Sequence, residues 1–257
     1  MLQQTQVSRV VPILEEWLVR WPTPADLAAA PPAEVLRAWG RLGYPRRALA
    51  LHACATAIAE HHGNRVPDDV DALLALPGIG DYTARAVAVF AYGHRHPVVD
   101  TNVRRVLARS EAGLQDAGTP SARRDLPAMA AVLPEGREEA AAFNAGMMEI
   151  GALVCTPRSP RCGECPLERS CAWRLAGFPE EDAVPRRRQP RFAGSERQRR
   201  GLVMAELRGS DRPVSDTELA RVLPDAEVRD RVLTGLVADG LAERTPDGWS
   251  LPGDDPA

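Results

Sequence analysis

Apolar positions recur at helical spacing almost from the start of the chain. Val7, Val10, Val11, Leu14, Trp17 and Leu18 fall three, four and seven residues apart, the pattern of one helix face. Pro22 and Pro24 stop that helix. A short one, entered at Thr23 or Pro24, runs through Leu27 to about Ala30. Pro31 and Pro32 break it, and Ala33–Leu42 forms the next, closed by Gly43. Pro45–His62 reads as a long helix with Gly63 just past its end. Asp68 or Asp69 caps a helix to Leu76, and Gly78-Ile79-Gly80 is a tight turn into Asp81–Tyr92, ended by Gly93. Asp100–Arg109, Ser121–Leu133 and Glu138–Val154 complete a series with short connections. No useful period-2 alternation occurs in the first 175 residues, so this part is expected to be all-α.

The pattern then changes. Residues 177–197 carry Pro179, Pro185 and Pro190 with Arg186, Arg187, Arg188 and Arg191, and Arg197, Arg199 and Arg200 continue the run. This is a linker by composition, either a solvated segment or a phosphate-contacting strap. Beyond it, Gly201–Leu207, Asp216–Leu223 and Glu227–Ala238 read as short amphipathic helices. Leu241–Arg244, Gly248 and Trp249–Leu251 can form a small β-wing, so residues 198–254 are expected to be a small winged-helix-like module.

Composition changes the picture at three points. Apolar content is 44%, with no run long enough to span a bilayer and no signal-peptide pattern, so a cytoplasmic protein is expected. The formal charge of −3 does not by itself announce a nucleic-acid partner. All 32 basic residues are Arg; with no Lys, no side chain can form a Schiff base.

Four of the five Cys lie at 155, 162, 165 and 171. Four thiolates in so compact a loop can close around one metal centre, which would supply the loop's folding energy. Structural zinc also takes four thiolates, but the six- and five-residue gaps do not make two close pairs, which favours an iron–sulfur cluster. Cys54 sits mid-helix on an apolar face and is expected in the core.

Leu76-Pro77-Gly78-Ile79-Gly80 joins two helices, and its glycines permit positive φ and leave the backbone uncovered. The helix that follows then presents free N–H groups, a phosphate site. A turn of this kind is common, but it gains weight from Asp100, twenty residues after Gly80 in Pro97-Val98-Val99-Asp100-Thr101-Asn102. Asp100 can cap the helix it opens, and a helix start favours the ionised carboxylate needed beside a sugar cation.

Hairpin, aspartate and four-Cys loop, in this order and spacing, resemble the helix-hairpin-helix glycosylases with an iron–sulfur cluster, a superfamily that includes endonuclease III and the MutY-type adenine glycosylases. The resemblance covers about residues 1–175. It implies a six-helix barrel with the hairpin over 1–95, a cluster domain over 96–176, and a [4Fe–4S] cluster on Cys155, Cys162, Cys165 and Cys171. Met1-Leu2-Gln3-Gln4-Thr5-Gln6-Val7 is similar to the MutY-type segment whose Gln and Thr side chains enter the duplex beside an oxidised guanine. Gly43-Tyr44, followed by Arg46 and Arg47, is similar to the loop whose Tyr wedges next to that base; a polar helix face and a half-buried aromatic are the plain readings of the same residues. Flipping a base out of a duplex calls for such fillers.

By the same resemblance, Tyr82 occupies the position of the nucleophilic Lys of endonuclease III-like enzymes, which Tyr cannot replace as an imine-forming amine. Asn102 would help hold the catalytic water, and Arg104 falls where some relatives carry a product-trapping Lys. Arg158 and Arg161 would meet DNA phosphate from the cluster loop.

The implied function is excision of adenine opposite 8-oxoguanine or guanine in double-stranded DNA, by a monomer with no membrane partner. An endonuclease III-like pyrimidine glycosylase/lyase is the second reading. An inactive DNA-binding fragment is the third, because the family's general-acid Glu precedes the Met that Met1 matches. On that basis an earlier start is expected for the working enzyme, with weak turnover by these 257 residues alone. Residues 198–254 look too short and helical for the Nudix-type domain of many MutY-type proteins.

Overall fold

The computed structural model describes residues 1–3, 5–180 and 191–254. Gln4, and the part of the Arg/Pro-rich linker over 181–190, lie outside the described residues. The chain is predominantly helical: α1 (Val7–Arg20), α2 (Pro24–Ala29), α3 (Pro32–Trp39), α4 (Arg46–His61), α5 (Val70–Leu74), α6 (Asp81–Phe90), α7 (Thr101–Ser110), α8 (Ala122–Val132), α9 (Arg137–Glu149), α10 (Ala172–Leu175), α11 (Glu196–Arg208), α12 (Asp216–Val222) and α13 (Ala226–Ala238), followed by strands β1 (Glu243–Thr245) and β2 (Gly248–Ser250). Among the described residues no helix is long and apolar enough to cross a membrane.

The chain divides into two compact units. The first takes residues 1–67, 76–78 and the described part of 188–257; the second takes 68–75 and the described part of 79–187.

In the first unit, capping sets the helix entries. Thr23 and Asp26 form a reciprocal capping box at α2, with Pro24 in the first turn. α3 ends at Gly40, with φ +55°, three residues before the glycine that the apolar pattern suggested. The apolar periodicity carries on through Leu42, which is buried from the loop rather than from the helix. α1 buries Val10 and Trp17 and leaves Val7, Val11, Leu14 and Leu18 exposed. Trp17, Trp21 and Trp39 pack edge to face, with centroids 4.9 and 5.8 Å apart.

Residues near the end of the chain join this same core: Val203, Met204, Leu207, Leu219, Leu233, Leu236 and Leu251 cluster with Leu36, Trp39 and Ala48. Here α11, α12 and α13 precede the antiparallel β1–β2 pair, and Val214 bridges Trp249 as a third short strand. This is the element order of a winged helix. Gly248, at φ +150°, is required there, since a Cβ would sit 2.4 Å from the Val214 carbonyl oxygen. Arg37 pins the module to α3 through both Asp254 oxygens, at 2.7 and 2.6 Å, and the Ser210 carbonyl at 2.9 Å.

The second unit is built around α7, whose Val103, Val106 and Leu107 pack with Met129, Leu133, Ala140 and Met147. The long helix expected through Val154 is α-helical only to Glu149; Ile150–Val154 is a π-helical turn. Such wide turns occur frequently where a helix delivers functional residues.

Candidate active site and metal centre

The hairpin turn uses its two glycines differently. α5 ends at Leu74, with the Asp69 side chain accepting from the Ala72 N–H at its start. Gly78 adopts φ +74°, and a Cβ there would lie 2.8 Å from the Ala50 Cβ, so both conformation and space demand glycine. Gly80 does not use positive φ; it is the extended residue before α6, with φ −110° and open space where a side chain would be. It leaves the first N–H groups of α6 uncovered.

Asp100 arrives at the start of α7 on a segment held from behind. The buried Asn144 accepts from the Val98 N–H at 2.8 Å and donates to the His96 carbonyl at 3.1 Å. One Asp100 oxygen then accepts from the Val103 N–H at 2.7 Å, and the other accepts from the Asn102 amide at 3.0 Å. Tyr82, in the first turn of α6 and 39% exposed, stands close enough that burial and the Asp100 charge together push its phenol up. Asp100, Asn102 and Tyr82 are therefore brought together.

Behind this group lies a link to the cysteines. Asn102 Oδ1 accepts from Arg105, which is 7% exposed and also donates to the Gly151 carbonyl and, at 2.6 Å, to the Cys155 carbonyl. Gly151 sits in the π-turn because a Cβ would meet Asn102 at 2.7 Å. One turn further along α7, Arg109 is 3% exposed; it donates toward Cys155 Sγ at 3.3 Å and to the Thr156 carbonyl at 2.9 Å, with its guanidinium 4.6 Å from the Trp173 ring centroid.

Cys155, Cys162, Cys165 and Cys171 line one small pocket, together with Arg109, Val154, Pro160, Glu168, Trp173 and Arg174. All four are free thiols. Burial, and then the charges of Cys155, Cys171 and Cys165, push the Cys162 thiol up; burial is likewise the leading cause at Cys165. Four thiols lining one pocket are a ligand set suited to an iron–sulfur cluster. Cys54 is buried in α4, as its place on the apolar face predicts.

Other predicted residues lie in the first unit. Tyr44 is 49% exposed and adopts φ +49°, directly after Gly43 at φ +82°, so it projects from the loop rather than filling the core. Gln3 is exposed, and Thr5 Oγ1 accepts from Arg47 at 3.2 Å. Arg46 is largely exposed and pairs with Asp239 at 3.2 Å.

Arg104, expected among the DNA-binding residues at the position where some relatives carry a product-trapping Lys, makes its contacts within its own unit. Its side chain is 9% exposed, donates to Asp125 at 2.6 Å and also reaches the carbonyls of Ala117 and Gly118, so it fastens the 116–125 loop to α7. Sequence reasoning missed Arg105, Arg109, Asn144 and Gly151. The available signal was two arginines four residues apart among the apolar positions of α7.

Residues 1–126 match the HhH-GPD superfamily of base excision DNA repair proteins, and residues 155–171 match the iron–sulfur binding domain of endonuclease III. The molecule is thus a DNA glycosylase of base excision repair with an iron–sulfur domain. The chain is 55% identical over 256 residues to an adenine DNA glycosylase of Mycobacterium tuberculosis, covering 99% of this chain and 83% of that one. It is 57% identical over 249 residues to that of Mycolicibacterium smegmatis, covering 96% and 83%. A thermostable thymine-DNA glycosylase of known structure superposes with a TM-score of 0.62 at 28% identity, over 68% of this chain and 80% of that one. On this identity and coverage the chain belongs to the adenine DNA glycosylase family.

Proposed function

We propose that the protein hydrolyses the N-glycosidic bond of adenine paired with 8-oxoguanine or guanine in double-stranded DNA. The observation that carries this reading is the Asp100 carboxylate, half-buried at the start of α7 with an N–H on each oxygen and Tyr82 beside it. A carboxylate so held is preorganised for an oxocarbenium-like sugar, and it needs no reorganisation as the charge develops. With both oxygens already accepting, Asp100 is arranged as a stabiliser and not as the proton donor to the leaving base. Asn102, tied to Asp100 and Arg105, is placed to orient the attacking water.

Tyr82 in place of an amine, and the absence of Lys from the chain, support hydrolysis without β-elimination. Gln3, Thr5 and the exposed Tyr44 are the side chains we assign to the duplex around the flipped base, with Gly78 and Gly80 giving backbone N–H groups to phosphate. Cys155, Cys162, Cys165 and Cys171 would hold a [4Fe–4S] cluster, which supplies folding energy to residues 155–171. Arg158 is exposed on that loop, while Arg161 is shared with Glu164 at 2.7 Å.

The test is single-turnover excision from duplexes carrying A·8-oxoguanine, A·G, T·G or an oxidised pyrimidine. Release of adenine from the first two is expected. Preference for the pyrimidine substrates would overturn the proposal in favour of the endonuclease III-like reading.

A further inference from the structure

Four arginines of the first unit gather at the turn that carries Tyr44, and among the described residues none of them has a carboxylate partner. Arg9, on α1, donates to the Arg41 carbonyl. Arg47, in the first turn of α4, donates to Thr5 Oγ1 and the Met1 carbonyl and lies 5.2 Å over the Trp39 ring. Arg208, the last residue of α11, is half-buried; burial first, and the charge of Arg41 second, push its guanidinium below its ordinary value. Neighbouring arginines are matched: Arg37 pairs with Asp254, while Arg46 and Arg200 share Asp239. The Arg37 bond to the Ser210 carbonyl and the packing of Leu207 with Leu36 and Trp39 tie the end of α11 to the end of α3, next to Arg41.

A half-buried guanidinium beside the exposed one of Arg41, with no carboxylate between them, favours an anion that both can share. We propose that Arg41 and Arg208, with Arg9 beside them, form a phosphodiester-binding site, so that the C-terminal winged-helix module helps to grip the duplex next to the Tyr44 loop. This rests on the chain acting on DNA. Guanidinium forks suit phosphate oxygens, and contacts of this kind fix the position of a duplex without reading its bases. The module then has a use in DNA binding that does not require its third helix. That helix is poorly suited to phosphate, because Glu227 and Asp230 accompany Arg229 and Arg231 on it.

The experiment is duplex affinity against salt, over about 50 to 200 mM, for the full chain and for Arg41→Ala, Arg208→Ala, Arg208→Gln and the control Arg212→Ala. Arg212 lies in the same module but is already paired with Glu218 at 2.6 Å. Each variant at 41 or 208 is expected to flatten the slope of log K against log salt by about 0.9, on mispaired and fully paired duplexes alike. Arg212→Ala should leave the slope unchanged. Unaltered slopes at 41 and 208, or equal flattening by Arg212→Ala, would overturn the site. If Arg208→Ala fails to fold, Arg208→Gln and Arg41→Ala carry the test. Flattened slopes in a protein that releases no adenine would defeat the substrate assignment and leave this site standing.

Discussion

Asp100 closes the first turn of α7, and in the proposed reaction the same carboxylate stabilises the sugar cation; the two roles can be separated. Asn caps a helix about as well as Asp, so Asp100→Asn should keep the fold and remove the charge. We expect single-turnover adenine release to fall by about 10²–10³-fold with duplex affinity retained, checked by excision kinetics beside a binding titration. Gly151→Ala probes the residue behind it. Its Cβ would lie 2.7 Å from Asn102 Cβ and 2.9 Å from the Asn102 carbonyl carbon and oxygen. Overpacking of this kind costs about 1–3 kcal/mol. We expect a lower melting temperature and an excision rate reduced even at temperatures where the variant is fully folded. Asp100, Asn102 and Tyr82 were legible in the sequence because motif and cap coincide there. Arg105 and Arg109 were not, because their acceptors lie 46 to 50 residues further along the chain. Arginines on a helix are most often solvated, and their four-residue spacing among apolar positions is the one local mark against that here.

Helices α1 to α8 were largely visible in apolar spacing and caps, since a Pro, a Gly or a capping side chain lies at or near their ends. The π-turn at Ile150–Val154 was not visible: Ile, Gly, Ala, Leu and Val continue an ordinary apolar pattern, and the close approach of Gly151 to Asn102 is a contact across 49 residues. The loop between α7 and α8 gives a pH test. Although burial alone would raise it, the Ser121 N–H, Arg104 and Arg124 hold the Asp125 carboxyl below its ordinary value. A depressed carboxylate contributes stability that is complete above the ordinary Asp range and is lost as pH falls through the lowered value. Asp125→Asn should therefore be less stable than the parent near neutrality, with the gap in melting temperature closing on acidification; a pH-independent gap would refute this. No residue of the 155–171 cysteine loop is fully buried. Cys162→Ser or Cys165→Ser should lower bound iron and soluble yield together, and a colourless protein loaded stoichiometrically with zinc would remove the cluster assignment.

At the scale of the whole molecule, the winged-helix order of the last 60 or so residues could be read from turns and amphipathic spacing, but its place could not. The shared core of Leu36, Trp39, Leu207, Leu236 and Leu251 depends on contacts some 170 to 215 residues apart, which no local pattern encodes. The composition of these 257 residues, by contrast, bears directly on the proposed reaction type. With no Lys among these residues none of their side chains can form an imine, so borohydride should trap little covalent product on duplex DNA, and trapping mapped to one of these side chains would contradict hydrolysis. The most direct test of the account follows the base itself. The protein is incubated in excess with a duplex holding one A·8-oxoguanine pair, and the released base and the strand are both assayed, with and without alkali. The account predicts free adenine, released faster than by Asp100→Asn, from a strand that breaks only after alkali. Release of a different base, or strand breakage without alkali, would contradict it.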